Sequence, residues 1–140
     1  MKHFEMYELV DRNTYMKFGD RAITLFNPHA LEALDGLREF FNVPIMVNNW
    51  WGKDGQGMQY RGYRPENCPV GAQFSEHKKG NAFDCSVKGY TADEARKIIL
   101  ENQDNSLLIR IMRMEADVSW VHFDCGRTPN GKDRIYLFHA

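Results

Sequence analysis

Cysteine is scarce in this chain of 140 residues: Cys68, Cys85 and Cys125 are the only three. So odd and sparse a set does not make a disulfide framework. An excess of one charge is missing too. The formal net charge is -1, which gives no reason to expect a nucleic-acid or membrane surface. No apolar run is long enough to span a bilayer, so membrane insertion is not expected. The opening residues, Met1-Lys2-His3-Phe4-Glu5-Met6, are too polar for a signal peptide. Internal repeats and low-complexity linkers are absent. What is present is a soluble globular composition, 43% hydrophobic and 26% charged. A single domain over residues 1–140, with a real core, is the expectation.

Local signals set out an order of elements. Arg21 to Phe26 reads as a short strand after a mixed N-terminal stretch. Asn27 and Pro28 mark a helix start, a capping side chain followed by proline at the first helical position. Leu31, Leu34 and Leu37, with Phe40 and Phe41, form an apolar stripe at helical spacing and belong to the core. Pro44 to Trp50 reads as a strand with proline at its start. Gly52, Gly55 and Gly57 mark a flexible loop. A second loop through Pro69 and Gly71 leads to His77. Thr91 and Glu94 fit a capping box, opening a helix through Ala95, Ile98 and Ile99. Leu107 to Met114, Trp120 to Cys125 and Arg134 to Phe138 read as strands, with a turn from Gly126 to Gly131 before the last. This order suits an α+β domain with a mainly antiparallel sheet and helices packed on one side.

Two stretches carry the chemistry. The first, Ser75 to Asp84, holds His77 and Asp84 with Gly80 and Ala82 between them. The second is Trp120-Val121-His122-Phe123-Asp124. Side chains alternate across a strand. Ala82, Asp84 and Ser86 therefore share one face, and Phe83, Cys85 and Val87 the other. Trp120, His122 and Asp124 likewise oppose Val121, Phe123 and Cys125. Pairing the two strands buries the apolar faces together and points Asp84 and His122 into one space. It also places Cys85 and Cys125 as small buried hydrophobes. His77 sits in a loop that can fold over the pair, and Gly80 permits the turn. Two imidazoles and a carboxylate from separate segments can hold one zinc ion with a position left open, the pattern of a catalytic site. His3, His29 and His139 have no partner pattern and read as surface or satisfied residues.

The combination Ser75-x-His77-x-x-Gly80-x-Ala82-x-Asp84 with Trp120-x-His122-x-Asp124 resembles the zinc D-alanyl-D-alanine carboxypeptidase family. That family also includes D-alanyl-D-alanine dipeptidases and phage L-alanyl-D-glutamate endopeptidases, and shares its fold with the Hedgehog signalling domain. Arg61-Gly62-Tyr63-Arg64-Pro65 resembles the Ser-Gly-Tyr-Arg segment that leads into the zinc motif. The Gly-rich loop after Trp50-Trp51 and the tail around His122 are most similar to small phage-type and prophage-type members. The likeness covers roughly residues 27–138.

The resemblance implies a Hedgehog/DD-peptidase-like fold, one zinc per chain on His77, Asp84 and His122, and hydrolysis of peptidoglycan stem peptides. It implies a carboxylate base. Several members carry Glu three residues before the last zinc histidine, where this chain has Ser119. Others carry it at the end of the preceding strand, which Glu115 matches; Asp117 is the second candidate. Arg64 is similar to the family arginine that holds a substrate carboxylate or carbonyl oxygen, a task suited to a planar guanidinium. Ser75 can fix the approach of His77 and contact substrate, and Asp124 can accept from a ligand histidine. Trp50, Trp51, Tyr60 and Trp120 either wall a peptide groove or pack in the ordinary way. The alternatives to a peptidase are a zinc-binding structural module of a phage particle without turnover, and a fold with no metal. The expected place of action is the cell wall, reached after synthesis in the cytoplasm by release or as part of a phage particle.

Overall fold

The structure, a computed structural model, describes residues 1–53, 57–129 and 134–139. Gly55 and Gly131 lie outside the described residues. Among the described residues, three α-helices and five strands make an α+β fold with one mixed sheet. The helices are α1 (Arg12–Phe18), α2 (Pro28–Phe41) and α3 (Ala92–Glu101). The strands are β1 (Ile45–Met46), β2 (Ala82–Val87), β3 (Arg113–Glu115), β4 (Val121–Asp124) and β5 (Tyr136–Phe138). Their order across the sheet is β1-β2-β4-β3-β5. No helix among the described residues is long and apolar enough to cross a membrane.

The helix starts follow their capping residues. Asn27 accepts from the His29 amide, with Pro28 in the first turn of α2. Thr91 and Glu94 close a reciprocal capping box on α3. The unassigned N-terminal stretch contains α1, whose Asp11 cap accepts from the Thr14 amide.

Several strands are shorter than the apolar runs suggest, for local reasons. Residues Gly19–Leu25 form a 3-10 helix instead of the expected strand at 21–26. Of the expected strand at 44–50 only Ile45–Met46 pairs, and Trp50–Lys53 curls into a 3-10 helix. Of 107–114 only the end is strand. Asn105 accepts from the Leu107 amide and turns Ser106–Leu108 into a 3-10 helix.

The sheet is mixed because of β5. The pairs β1/β2, β2/β4 and β3/β4 are antiparallel, while β3/β5 is parallel. Both edges of β4 are taken by β2 and β3, so the returning chain docks outside β3. Running opposite to β4, it is then parallel to β3.

One face of the sheet is core. Phe83, Cys85, Val121 and Phe123 join Leu31, Leu34, Leu37 and Phe41 of α2 and Ala95 and Ile99 of α3 in a single apolar cluster. Each large side chain buried there contributes about 1.5–3 kcal/mol of transfer free energy. All three cysteines are free thiols. Cys85 is fully buried, and burial pushes its thiol up to about 12. Cys125 is only half-buried: its Sγ–H donates to the Arg110 carbonyl at 3.3 Å.

Candidate metal centre

The second face of the sheet carries the site, and strand register builds it. Asp84 of β2 is paired directly with His122 of β4. Directly paired residues project to the same side, so the carboxylate and the imidazole meet. His77 arrives from a 3-10 helix, Glu76–Lys79, capped by Ser75, whose Oγ accepts from the His77 amide at 3.1 Å. The helix ends at Gly80 with φ +71°, and a Cβ there would stand 2.1 Å from the Leu25 carbonyl oxygen. Only glycine satisfies both the left-handed backbone and that close approach.

His77, Asp84 and His122 form a buried group whose ligand atoms all lie within 4.8 Å of one another, and it could hold a metal ion. Each histidine has one ring nitrogen for that centre and the other fixed elsewhere. His77 Nδ1–H donates to the Gly62 carbonyl at 2.8 Å, which leaves Nε2 facing Asp84 Oδ2 at 3.3 Å. A carbonyl only accepts, so Nδ1 carries a proton and Nε2 is the nitrogen that faces the centre. His122 is arranged the other way round. Its Nε2–H donates to Asp124 Oδ2 at 2.8 Å, and its Nδ1–H to Asp84 Oδ1 at 2.7 Å. Nδ1 is therefore the nitrogen that turns to a cation. A donor set of two imidazoles and one carboxylate, each histidine backed by an acceptor, fits zinc well.

Charge follows the same geometry. Burial, the largest single influence on His122, works against its protonation, but the hydrogen bonds to Asp124 and Asp84 outweigh it and raise the pKa to about 9. Burial would likewise raise Asp84, yet the bonds from His122 and His77 pull it below the usual carboxylate range. A cation held by the centre would take the place of the proton on His122 Nδ1.

Comparison was made with family models, curated proteins and solved structures, and nothing matches this chain.

The other expected residues fall as follows. Asp124 is fully buried and accepts from His122, as the sequence suggests. Arg64 lies beside Asp84: Nη2–H donates to Asp84 Oδ2 at 3.3 Å, Nε–H to the Tyr60 carbonyl at 2.8 Å and Nη1–H to Ser75 Oγ at 3.5 Å. Glu115 ends β3. Arg113 pairs with Asp124 in the register, and alternation puts Glu115 on that same face, level with His122. Asp117 lies apart on an exposed turn with φ 62°, its carboxylate 2.9 Å from His139 Nδ1. His139 therefore has a partner, and His3 has one in Glu39. Trp50 is core-like, its indole N–H donating to the Val10 carbonyl. Trp120 is partly exposed and lines a cavity of about 670 Å³ with Ser86, Tyr90, Asp93, Asp117 and Ser119. This cavity adjoins the triad without including it: Ser86 lies two residues along β2 from Asp84, and Trp120 two residues before His122.

Two supporting groups were not legible in the sequence. The Gly62 carbonyl is backbone and leaves no residue-type signal. Arg113 grips Asp124 with both arms, Nε–H to Oδ1 at 2.7 Å and Nη2–H to Oδ2 at 3.0 Å. The Gly126 amide adds a third bond, and the Arg113 guanidinium sits 4.4 Å from the centre of the Phe138 ring. Phe138 in turn stands edge-on to His122 at 5.6 Å. Only the β3/β4 register discloses this chain from Arg113 through Asp124 to His122. Arg113→Met should weaken the centre's affinity for an added divalent metal ion by about tenfold, the scale for losing support behind a ligand. A competition titration with a chelating dye reads it; unchanged affinity would make the Arg113–Asp124 pair irrelevant to the metal.

Proposed function

We propose that this chain is a zinc-dependent metallopeptidase hydrolysing peptidoglycan stem-peptide bonds, of the small phage or prophage type, with a Hedgehog/DD-peptidase-like fold. The observation that carries the reading is the buried His77–Asp84–His122 group with both histidine tautomers set by backing acceptors. The sequence likeness around these residues supplies the substrate class. Bound zinc would polarise the scissile carbonyl and lower the pKa of water.

The chain's own residues do the rest. Glu115, on the face of His122, takes the proton of the attacking water and passes it to the leaving amine. The Arg64 guanidinium steadies a substrate oxygen. Its Nη1 arm, held to Ser75 Oγ only at 3.5 Å, is the one free to exchange partners. Ser75 holds the His77 backbone and shares that contact with substrate. Asp124, clamped by Arg113, keeps the proton on His122 Nε2 and so keeps Nδ1 aimed inward. The protein acts at the cell wall, after release from the cytoplasm or within a phage particle, and takes no nucleic-acid partner.

One observation favours a second reading, a zinc-binding module of a phage particle without turnover. Ser119, exposed at the cavity, occupies the place where several members carry their catalytic Glu. Digestion of purified peptidoglycan by zinc-supplied protein, with mass spectrometry of the soluble products, separates the two. Released stem peptides cut at one defined bond are expected. Intact peptidoglycan in the presence of fully zinc-loaded protein would favour the module.

A further inference from the structure

The segment 59–64 serves the metal centre and also borders a cavity that the centre does not use. Its Gly62 carbonyl accepts from His77, and its Arg64 reaches Asp84. The same segment is tied to the N-terminal region. The Tyr63 amide donates to the Leu9 carbonyl at 2.9 Å, and Gln59 Oε1 accepts from the Arg12 amide at 3.1 Å. Where it meets α1 lies a cavity of about 400 Å³, lined by Tyr60, Tyr63, Asp11, Asn13, Phe18 and Asn67 among others. Small-molecule sites run from roughly 300 to 1,000 Å³. Asn67 is presented by a turn in which the Cys68 amide donates to the Pro65 carbonyl at 3.0 Å.

The polar groups around this cavity are uncommitted. Asp11 is 3% exposed, and among the described residues its oxygens accept only from Thr14, from Oγ1–H at 2.6 Å and from the amide at 3.1 Å. A carboxylate has about four acceptor positions, so roughly two remain. The side chains of Asn13, Asn67, Tyr60 and Tyr63 make no hydrogen bond among the described residues. Burial, and then the charge of Asp11, raises the pKa of both phenols, so both are neutral hydroxyls near one buried acceptor. Tyr63 is braced edge-on by Phe26 at 6.1 Å. The exposed ammonium of Lys17 lines the cavity as well and adds a donor.

A ligand that satisfies this lining donates to a carboxylate and accepts from phenols, amides and an ammonium. It also lays an apolar face on an aromatic ring. An anion is opposed by Asp11 and a cation by Lys17, whereas a sugar ring carries hydroxyls of both roles and a C–H face. We propose that this cavity is a saccharide subsite for one N-acetylated hexosamine ring of a glycan strand. The acetamido group adds an amide for the asparagines and a methyl for Phe18. The choice of an amino sugar rests on the peptidase reading, in which the stem peptide is carried by such a strand. Tyr60 borders this cavity and also a smaller one lined by Arg64, so a glycan held here stays within reach of a peptide at Arg64.

The test is NMR titration of the full-length chain, with and without added zinc. The probes are N-acetylglucosamine, its β-1,4-linked tetramer and, as a control, maltotetraose. The N-acetylated tetramer should shift the amides of residues 11–18 and 60–67 in both metal states. The monosaccharide should shift the same amides more weakly, and maltotetraose should not shift them. Tyr60→Leu should weaken the tetramer by about tenfold, near the upper end for one aromatic contact. Asn67→Ala, on an exposed turn, should weaken it by about threefold, the scale of one neutral hydrogen bond. No shift at these residues, equal shifts with maltotetraose, or undiminished binding in both variants would overturn the subsite. The peptidase reading fails separately. Tetramer binding by a chain that releases no stem peptide would keep the subsite and remove the peptidase. Release of stem peptides without tetramer binding would do the reverse.

Discussion

His122→Ala is expected to reduce zinc retained after dialysis from about one ion per chain to none, because two protein ligands rarely hold a catalytic zinc. His77→Ala should do the same. The two variants differ in what else they lose. His122 hydrogen-bonds both Asp84 and Asp124, so its removal strips two buried carboxylates of a partner. Breaking a buried pair from one side typically costs about 3–5 kcal/mol. His77→Ala removes only a 3.3 Å contact to Asp84 and the bond to the Gly62 carbonyl. Without metal, His122→Ala should therefore melt well below His77→Ala. Added zinc should raise the melting temperature of the unmodified protein alone, since a ligand that binds the folded state stabilises it. Metal analysis and thermal melts on the three proteins read both effects. Stoichiometric zinc in His122→Ala would remove His122 from the site.

How much of this was legible depended on whether the signal was local. Asp84 and His122 could be paired from sequence because alternation fixes a face, and the apolar partners Phe83, Cys85, Val121 and Phe123 fix which face is buried. The caps at Asn27 and Thr91 are likewise readable, since each acts within three residues. The short apolar runs were not. Ile23-Thr24-Leu25 and Leu107-Leu108-Ile109 look extended, but runs this short fit a turn of helix equally well. Their surroundings decide, as Asn105 does by capping the Leu107 amide. Arg113 and Gly62 were missed because their roles come from long-range register and from backbone. The parallel β5 was missed because a reversal after β4 says nothing of which edge is vacant.

Glu115→Gln carries the largest expected effect on turnover. If the chain hydrolyses peptides, some carboxylate must move the proton, and Ser119 cannot. Glu115 and Asp117 are the candidates, and the structure places them differently. Glu115 shares the face of Asp124 and His122, one strand over. Asp117 is turned out on a left-handed residue, its side chain 80% exposed and 2.9 Å from His139. A base must reach the reacting water within hydrogen-bond distance, or through one further water. The strand position of Glu115 meets that requirement better than the outward turn of Asp117. Glutamine keeps the shape of Glu115 and removes its basicity, so the fold and zinc content should stay unchanged. Turnover should then fall by about 100-fold or more, the usual scale for a general base. Asp117→Asn should change the rate less than about threefold, as expected of an exposed pair with His139. Rates on soluble peptidoglycan fragments, with zinc content measured for each protein, provide the comparison. Full activity in Glu115→Gln together with loss in Asp117→Asn would transfer the role to Asp117 and require the turn to fold inward when substrate binds.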